Sequence, residues 1–156
     1  MKSAVEFLAE LKSASGREMG VTDWLSFDQD QINAHGALTG DQGPIHNDRA
    51  WCKANTNFGG TIVQGSLLLS TFTKMAKSLE WPDGDISFRM SYGYNRIRII
   101  NPVKTGQRFR GRFTLKDAQA KSDTALVLTL DAVIEGEGEE TPAVVTEWLA
   151  YLQFKS

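Results

Sequence analysis

Two side chains in this sequence have the chemistry to move a proton near neutral pH and lie close enough in the chain to act together. They are Asp41 and His46, in Thr39-Gly40-Asp41-Gln42-Gly43-Pro44-Ile45-His46. A carboxylate with an ordinary pKa of about 3.9 and an imidazole with one of about 6.5 make a base and an acid for general catalysis. At five-residue spacing on a regular helix they would diverge. Gly43-Pro44 intervenes: proline cannot continue a helix and glycine permits unusual backbone angles, so the segment is predicted to bend and aim both groups at one point. Burial beside an apolar helix would raise the aspartate further. The same residues also admit a structural reading, with Asp41 capping a helix or turn and His46 packed as a polar residue. The other histidine, His35, is read as structural or surface.

A second feature is Gln64-Gly65, at the head of the apolar stretch Gly65 to Leu79. The first turn of a helix has backbone N–H groups without intrahelical partners, and they carry partial positive charge. A glycine there lets a ligand carbonyl approach closely, as an oxyanion hole requires. Close packing alone is the alternative reason for Gly65. Cys52 is the single cysteine, which excludes an intrachain disulfide and cysteine-rich zinc motifs; it reads as an inert buried thiol.

The elements that must position these groups are legible in outline. With 156 residues, 41% hydrophobic and 23% charged, the chain is sized and composed as one globular domain with its own core, and disorder is excluded. A net charge of -2 with interspersed signs points away from nucleic acid and bilayer surfaces. No apolar run approaches the roughly 20 residues of a membrane span. Glu6 and Glu10 interrupt the N-terminal segment where a signal peptide would be apolar, so a cytoplasmic location is expected.

Ala4 to Ala14 reads as a short amphipathic helix, within an N-terminal helical extension over 1–20. Val21 to Phe27 reads as a short strand or extended entry. Asp28 reads as the N-cap of a helix ending around Gly36 to Gly40, and Asp48 as the cap of a short helix through Trp51. Phe58-Gly59-Gly60-Thr61 is a turn. Gly65 to Leu79 is apolar around much of its circumference, which predicts an enclosed helix. After Pro82-Asp83-Gly84 the pattern changes to strands: Ile86 to Ile100, Arg108 to Leu115, Ala125 to Ile134 and Ala143 to Phe154, each bounded by turn residues. Short connections between strands favour antiparallel neighbours. The fold class is therefore α+β, an antiparallel sheet curled around one long helix. Trp24, Trp51, Trp81 and Trp148 read as core or dimer packing.

Thr39 to Asp48, followed by Phe58-Gly59-Gly60-Thr61-Ile62-Val63-Gln64-Gly65, resembles the MaoC-like (R)-specific enoyl-CoA hydratases, in the branch of the nodulation protein N-like proteins. Tyr92-Gly93-Tyr94-Asn95-Arg96-Ile97-Arg98 and Asn101-Pro102-Val103-Lys104-Thr105-Gly106 look like that branch's strand and turn. The resemblance runs from about Val21 to Phe154. It implies a single hot-dog domain over 1–156, dimerising or forming a dimer of dimers, with acyl-thioester sites near the dimer interface. The implied reaction adds water to a trans-2-enoyl thioester, carried by coenzyme A or acyl carrier protein, to give an (R)-3-hydroxyacyl thioester. It needs no metal or redox cofactor. The family's catalytic pair falls on Asp41 and His46, and its oxyanion-hole amide on Gly65.

Gln64, Thr73, Asn95 and Arg96 are further candidates for substrate contact, and Arg96, Arg98, Lys104 and Arg108 for phosphate contact. The chain departs from the family pattern at Gly43, where an asparagine is frequent, at Gln64, where a histidine is frequent, and at Ala34-His35-Gly36, where an aromatic is usual. Two other readings compete. A hot-dog thioesterase usually carries a carboxylate on the central helix, and Gly65 to Leu79 has none. A non-catalytic acyl-thioester binder would show affinity without turnover.

Overall fold

The computed structural model describes residues 4–81 and 84–155. It contains α1 (Ala4–Ser13), β1 (Glu18–Val21), α2 (Gln29–Thr39), α3 (Pro44–Asn47), α4 (Arg49–Asn55), α5 (Gly65–Ser70) and α6 (Phe72–Met75), the last continued by a 3-10 turn, Ala76–Ser78. Four long strands follow: β2 (Ile86–Ile99), β3 (Phe109–Ser122), β4 (Ala125–Gly136) and β5 (Val144–Phe154). All five strands form one antiparallel sheet in the order β1-β3-β4-β5-β2. Pro82 and Asp83, read as the switch from helices to strands, lie outside the described residues.

The sheet has a dry inner face because its strands alternate. In β5 the residues Val144, Thr146, Trp148, Ala150, Leu152 and Phe154 are buried, while those between them are not. The matching set in β4 is Leu126, Leu128, Leu130, Ala132 and Ile134, each at 0% exposure. Against this face lies the α5–α6 segment. Phe72 is fully enclosed, with ring centroids 5.5 Å from Phe113, 5.9 Å from Trp148 and 6.0 Å from Tyr94. Removing such a side chain leaves a cavity and costs about 3–5 kcal/mol. This is the hot-dog arrangement.

Several details differ from the sequence reading. The helix expected over Gly65 to Leu79 is two helices and a 3-10 turn. Thr71 donates its hydroxyl to Leu68 O at 2.5 Å and its N–H to the same carbonyl at 3.1 Å, which tightens the chain there. The third strand runs to Ser122, seven residues past the expected Leu115. The N-terminal segment contributes directly to the core: α1 buries Ala4, Phe7 and Leu11, with Phe7 edge-on to Phe154 at 5.4 Å, and residues 18–20 already belong to β1. Of Val21 to Phe27 only Val21 is in β1, and Leu25 makes an isolated bridge to Phe109.

Among the tryptophans only Trp148 is in the core. Trp24 lies under Arg108 and Arg110, with Cζ 5.6 and 4.6 Å from the ring centroid, and Trp81 lies under Arg89 at 5.1 Å. Trp51 is exposed. An indole's flat face suits a guanidinium as well as a core, and residue type alone does not separate the two. Among the described residues no helix is long and apolar enough to cross a membrane.

Candidate active site

The segment carrying Asp41 and His46 is built by three local rules. Asp28 caps α2 in a capping box, its carboxylate accepting from Gln31 N at 2.9 Å while Gln31 Oε1 accepts from Asp28 N at 3.0 Å. The helix ends at Gly40 in the left-handed conformation, φ 81°, with Gly40 N–H donating to Gly36 O at 2.9 Å. The chain leaves that cap through Asp41 and re-enters a helix at Pro44, the first position of α3, where a missing N–H costs nothing. The expected bend therefore exists, but Gly40 supplies the unusual backbone angle; Gly43, at φ −59°, does not.

This path brings the pair together. His46 Nε2 stands 3.7 Å from Asp41 Oδ1, and both residues line a cavity of about 190 Å³ with Ile32, Gly36, Gln42 and Gln64. His46 Nδ1 lies 2.8 Å from Ile62 O. A carbonyl oxygen only accepts, so Nδ1 carries a proton and Nε2 is the ring atom free to exchange one with the cavity. At 3.7 Å the two groups are too far apart for a good direct hydrogen bond. One water about 2.8 Å from each atom would sit between them at an angle of roughly 80°.

The two side chains are buried unequally, His46 at 9% and Asp41 at 47% side-chain exposure. The burial expected for the aspartate is not found within one chain: Gln64, just before α5, donates to its backbone carbonyl and not to its carboxylate.

Around the pair is a set of polar clamps. Gln64 is 1% exposed, and its Nε2 donates to Ile32 O at 2.9 Å and Asp41 O at 3.3 Å. It thus ties α2 and the Asp41 backbone to the head of α5. Its Oε1 is buried without a hydrogen-bond partner. Asn47 Nδ2 donates to Gln42 O at 2.9 Å. Gln29 Nε2 donates to His46 O at 2.7 Å, while its Oε1 accepts from Thr61 Oγ1 at 2.7 Å. Neither Gln29 nor Ile62 is visible as a site residue in the sequence: their partners lie 17 and 16 positions away and are held through backbone atoms.

Gly65 is the first residue of α5, and its N–H has no partner among the described residues. A β-carbon at Gly65 would stand 2.2 Å from Ile99 Cδ1 on β2, so the glycine admits that edge strand to the helix head.

The remaining candidates lie elsewhere. Thr73 lines a different cavity, between α6 and the β2–β5 edge. Asn95 and Arg96 are exposed on β2; Asn95 Nδ2 donates to Glu147 Oε2 at 3.2 Å, and neither residue lines the Asp41–His46 cavity. Arg108, offered for phosphate contact, is committed to Glu137 and Trp24. His35 Nε2 is 2.8 Å from Ser66 Oγ and links α2 to α5. Cys52 is fully buried, its thiol 3.5 Å from Pro44 O and Ile45 O. Among the described residues no group of three or more His, Cys, Asp or Glu side chains could hold a metal.

Residues 10–137 match the MaoC like domain. The chain belongs to this family. Nodulation protein N of Rhizobium leguminosarum bv. viciae is 35% identical over 147 residues, covering 94% of this chain and 91% of that one. The 3-hydroxyacyl-thioester dehydratase Z of Mycobacterium tuberculosis (strain ATCC 25618 / H37Rv) is 30% identical over 142 residues, covering 91% and 93%. Among solved structures, the monoamine oxidase regulatory protein of Archaeoglobus fulgius aligns with TM-score 0.75 at 22% identity, covering 91% and 92%. The (R)-hydratase from A. caviae involved in PHA biosynthesis aligns with TM-score 0.69 at 23% identity, covering 90% and 96%. At those identities the structures speak for the shared fold. Membership of a dehydratase family supports a hydro-lyase type of enzyme.

Proposed function

We propose that this protein is an (R)-specific enoyl-thioester hydratase, acting on trans-2-enoyl groups carried by coenzyme A or acyl carrier protein. The observation that carries the reading is the 3.7 Å approach of His46 Nε2 to Asp41 Oδ1 across one cavity, with the ring's other nitrogen fixed on Ile62 O. That spacing suits a water molecule held by both groups.

Water is a weak nucleophile, and C3 of an enoyl thioester accepts it only when the carbonyl is polarised. The Gly65 N–H is assigned to that polarisation. Asp41 takes a proton from the water as its oxygen bonds to C3, and the alkene electrons move through C2 to the carbonyl oxygen. His46, protonated at Nε2, gives that proton to C2. Transfer of the proton from Asp41 to Nε2 then restores the pair. Atoms and charge balance with water as the only co-reactant. The name of the mycobacterial relative, a 3-hydroxyacyl-thioester dehydratase, fits the same reaction run backwards.

The cavity of about 190 Å³ is smaller than the roughly 300 Å³ at which ligand pockets begin, so it takes the reacting end and not the whole thioester. A second copy of the chain completes the site in this proposal. β2 is an edge strand with Phe88, Met90, Tyr92 and Ile99 about half exposed, and its Ile99 abuts Gly65. Long apolar edges of this kind pair with another strand.

The test is loss of the conjugated ultraviolet absorbance of trans-2-enoyl-CoA, with chiral analysis of the product. Asp41→Asn and His46→Ala should each lower the rate by about 10²–10⁴ with folding intact. A wild type that binds every chain length and turns over none is a binder, and the proposal fails.

A further inference from the structure

The seam between the central helix and β2 begins where Gly65 meets Ile99, passes Tyr94 Oη at 3.5 Å from Leu69 O, and ends in a second cavity of about 280 Å³. That cavity is lined by Thr73, Ala76 and Lys77 on the helix side and by Arg89, Ser91 and Trp148 on the sheet side. Its floor is apolar. Trp148 uses its indole N–H on Ser91 Oγ at 2.8 Å, so the ring presents carbon to the cavity.

Two cations, Lys77 and Arg89, face this one cavity from opposite sides. The basic side chains Arg17, Arg108, Arg110, Arg112, Lys116 and Lys155 all have carboxylate partners. Lys77 and Arg89 have none among the described residues. The nearest carboxylates in the chain are taken: Glu80 pairs with Arg17 and Asp85 with Lys155, each at 2.8 Å. Arg89 is instead steadied over the Trp81 ring, 5.1 Å from its centroid.

At the end of the helical segment Ala76 O accepts from Trp81 Nε1 at 2.6 Å and Met75 O accepts from Ser78 Oγ at 2.8 Å, so these two carbonyls are already used. An apolar slot with two unneutralised cations attracts a ligand that is a hydrocarbon with an anion at its end.

We infer that the acyl group taken by this protein carries a carboxylate at the end far from the thioester, and that Lys77 and Arg89 select it. This rests on the hydratase reading and names its substrate class. Lys77 is twelve residues beyond Gly65 along the α5–α6 segment, roughly 18 Å at the α-helical rise and somewhat more where the 3-10 turn stretches it. A medium-length chain whose thioester carbonyl meets the Gly65 N–H would bring its tail within reach of both side chains. Both cations are exposed, so a methyl end would leave them hydrated and gain nothing from them, whereas a carboxylate end would accept from both.

The experiment compares trans-2-dodecenedioyl-CoA, thioesterified at one end, with trans-2-dodecenoyl-CoA, in the wild type and in Lys77→Gln, Arg89→Gln and the double variant. The wild type should prefer the carboxylate-ended thioester by about ten-fold or more in kcat/KM, with the difference carried mainly by KM, since charge-assisted hydrogen bonds are worth 1.5 kcal/mol or more. In the double variant the preference should fall to about one, and added salt should erode it in the wild type. A wild type with no preference, or a double variant that keeps it, overturns the inference.

If neither thioester is hydrated, the hydratase reading falls by itself. Calorimetry with octanoate against octanol then reads the cavity directly. Saturable octanoate binding that the double variant loses, with octanol weaker, keeps the anion site; equal binding of the two probes, or of octanoate to both proteins, removes it.

Discussion

Gly65 and Ile99 interlock: the helix head meets the edge strand so closely that a single β-carbon on Gly65 would fall 2.2 Å from Ile99 Cδ1. The obstructing atom is the end of a flexible side chain whose residue is 54% exposed, so Gly65→Ala can fold by displacing Ile99. Its melting temperature should drop by only a few degrees. The rate should suffer more, because the displaced side chain and the new methyl both crowd the amide assigned to the carbonyl. We expect kcat/KM to fall about ten-fold or more, the cost of weakening one preorganised donor. Ile99→Ala in the same background should restore part of it. Full activity in Gly65→Ala would remove Gly65 from the mechanism.

Gly36 makes the same kind of contact with a harder neighbour. A β-carbon there would stand 2.7 Å from the carbonyl oxygen of Asp41, which is backbone and cannot swing aside. Gly36→Ala should therefore push the loop off the helix. Overpacking of this kind costs about 1–3 kcal/mol. It should also move Asp41 relative to His46, lowering kcat more than KM changes. Denaturant melts read the first effect, and steady-state kinetics read the second.

What was legible in the sequence was whatever the chain does locally. Asp28 and Asp48 announce their helices because a short acidic side chain at that place satisfies orphan N–H groups, and both accept as expected, from Gln31 N and Trp51 N. The alternation in β4 and β5 gives the sheet's inner face. The meeting of Asp41 and His46 was reachable because only four residues, one of them a proline, separate them. The rest depends on distant partners. Ile62 O fixes the imidazole from 16 positions away, and any residue type has a carbonyl to offer. Thr71 interrupts the central helix through a hydroxyl bond that a threonine elsewhere in a helix need not make. Asn95 and Arg96 sat in a recognisable motif, yet β2 carries them on an exposed edge away from the Asp41–His46 cavity. Motif membership did not fix direction.

The arginine–glutamate cluster on the outer face gives the fold a pH signature. Glu135 accepts from Arg112 Nε and Arg110 Nε, each at 2.9 Å. The Arg112 hydrogen bond above all, then the Arg110 one, hold its carboxyl below the usual carboxylate range despite partial burial. A folded-state pKa below the unfolded value of about 4.3 means the stabilisation is complete above that pH and is lost as pH falls through the folded value. The groups are about one-third exposed, so the net worth is about 1 kcal/mol after solvent screening. Glu135→Gln should lower the melting temperature at pH 7, and the gap from wild type should close as the pH drops below about 4. A gap that persists unchanged at pH 3 would assign the loss to packing.

Gln29 offers the most distant lever on the reaction, since it touches neither cavity oxygen nor ring nitrogen. Its Nε2 donates to His46 O at 2.7 Å and to Asn33 Oδ1 at 2.9 Å, and its Oε1 accepts from Thr61 Oγ1, which in turn lies 2.7 Å from Thr105 Oγ1. Through this chain α2 holds the backbone of the histidine and registers it against the turn before β3. In Gln29→Ala, His46 O and Thr61 Oγ1 both lose that partner, so the imidazole keeps its Ile62 bond while its base becomes loose. Near-attack geometry is sensitive to shifts of about 1 Å, with losses of up to about 10². Gln29→Ala should lower kcat by about ten-fold with little change in KM. Gln29→Glu should do no better, because its carboxylate cannot donate to His46 O. If Gln29→Glu instead matched the wild type, the amide donor would not be what positions His46, and shape alone at residue 29 would account for the clamp.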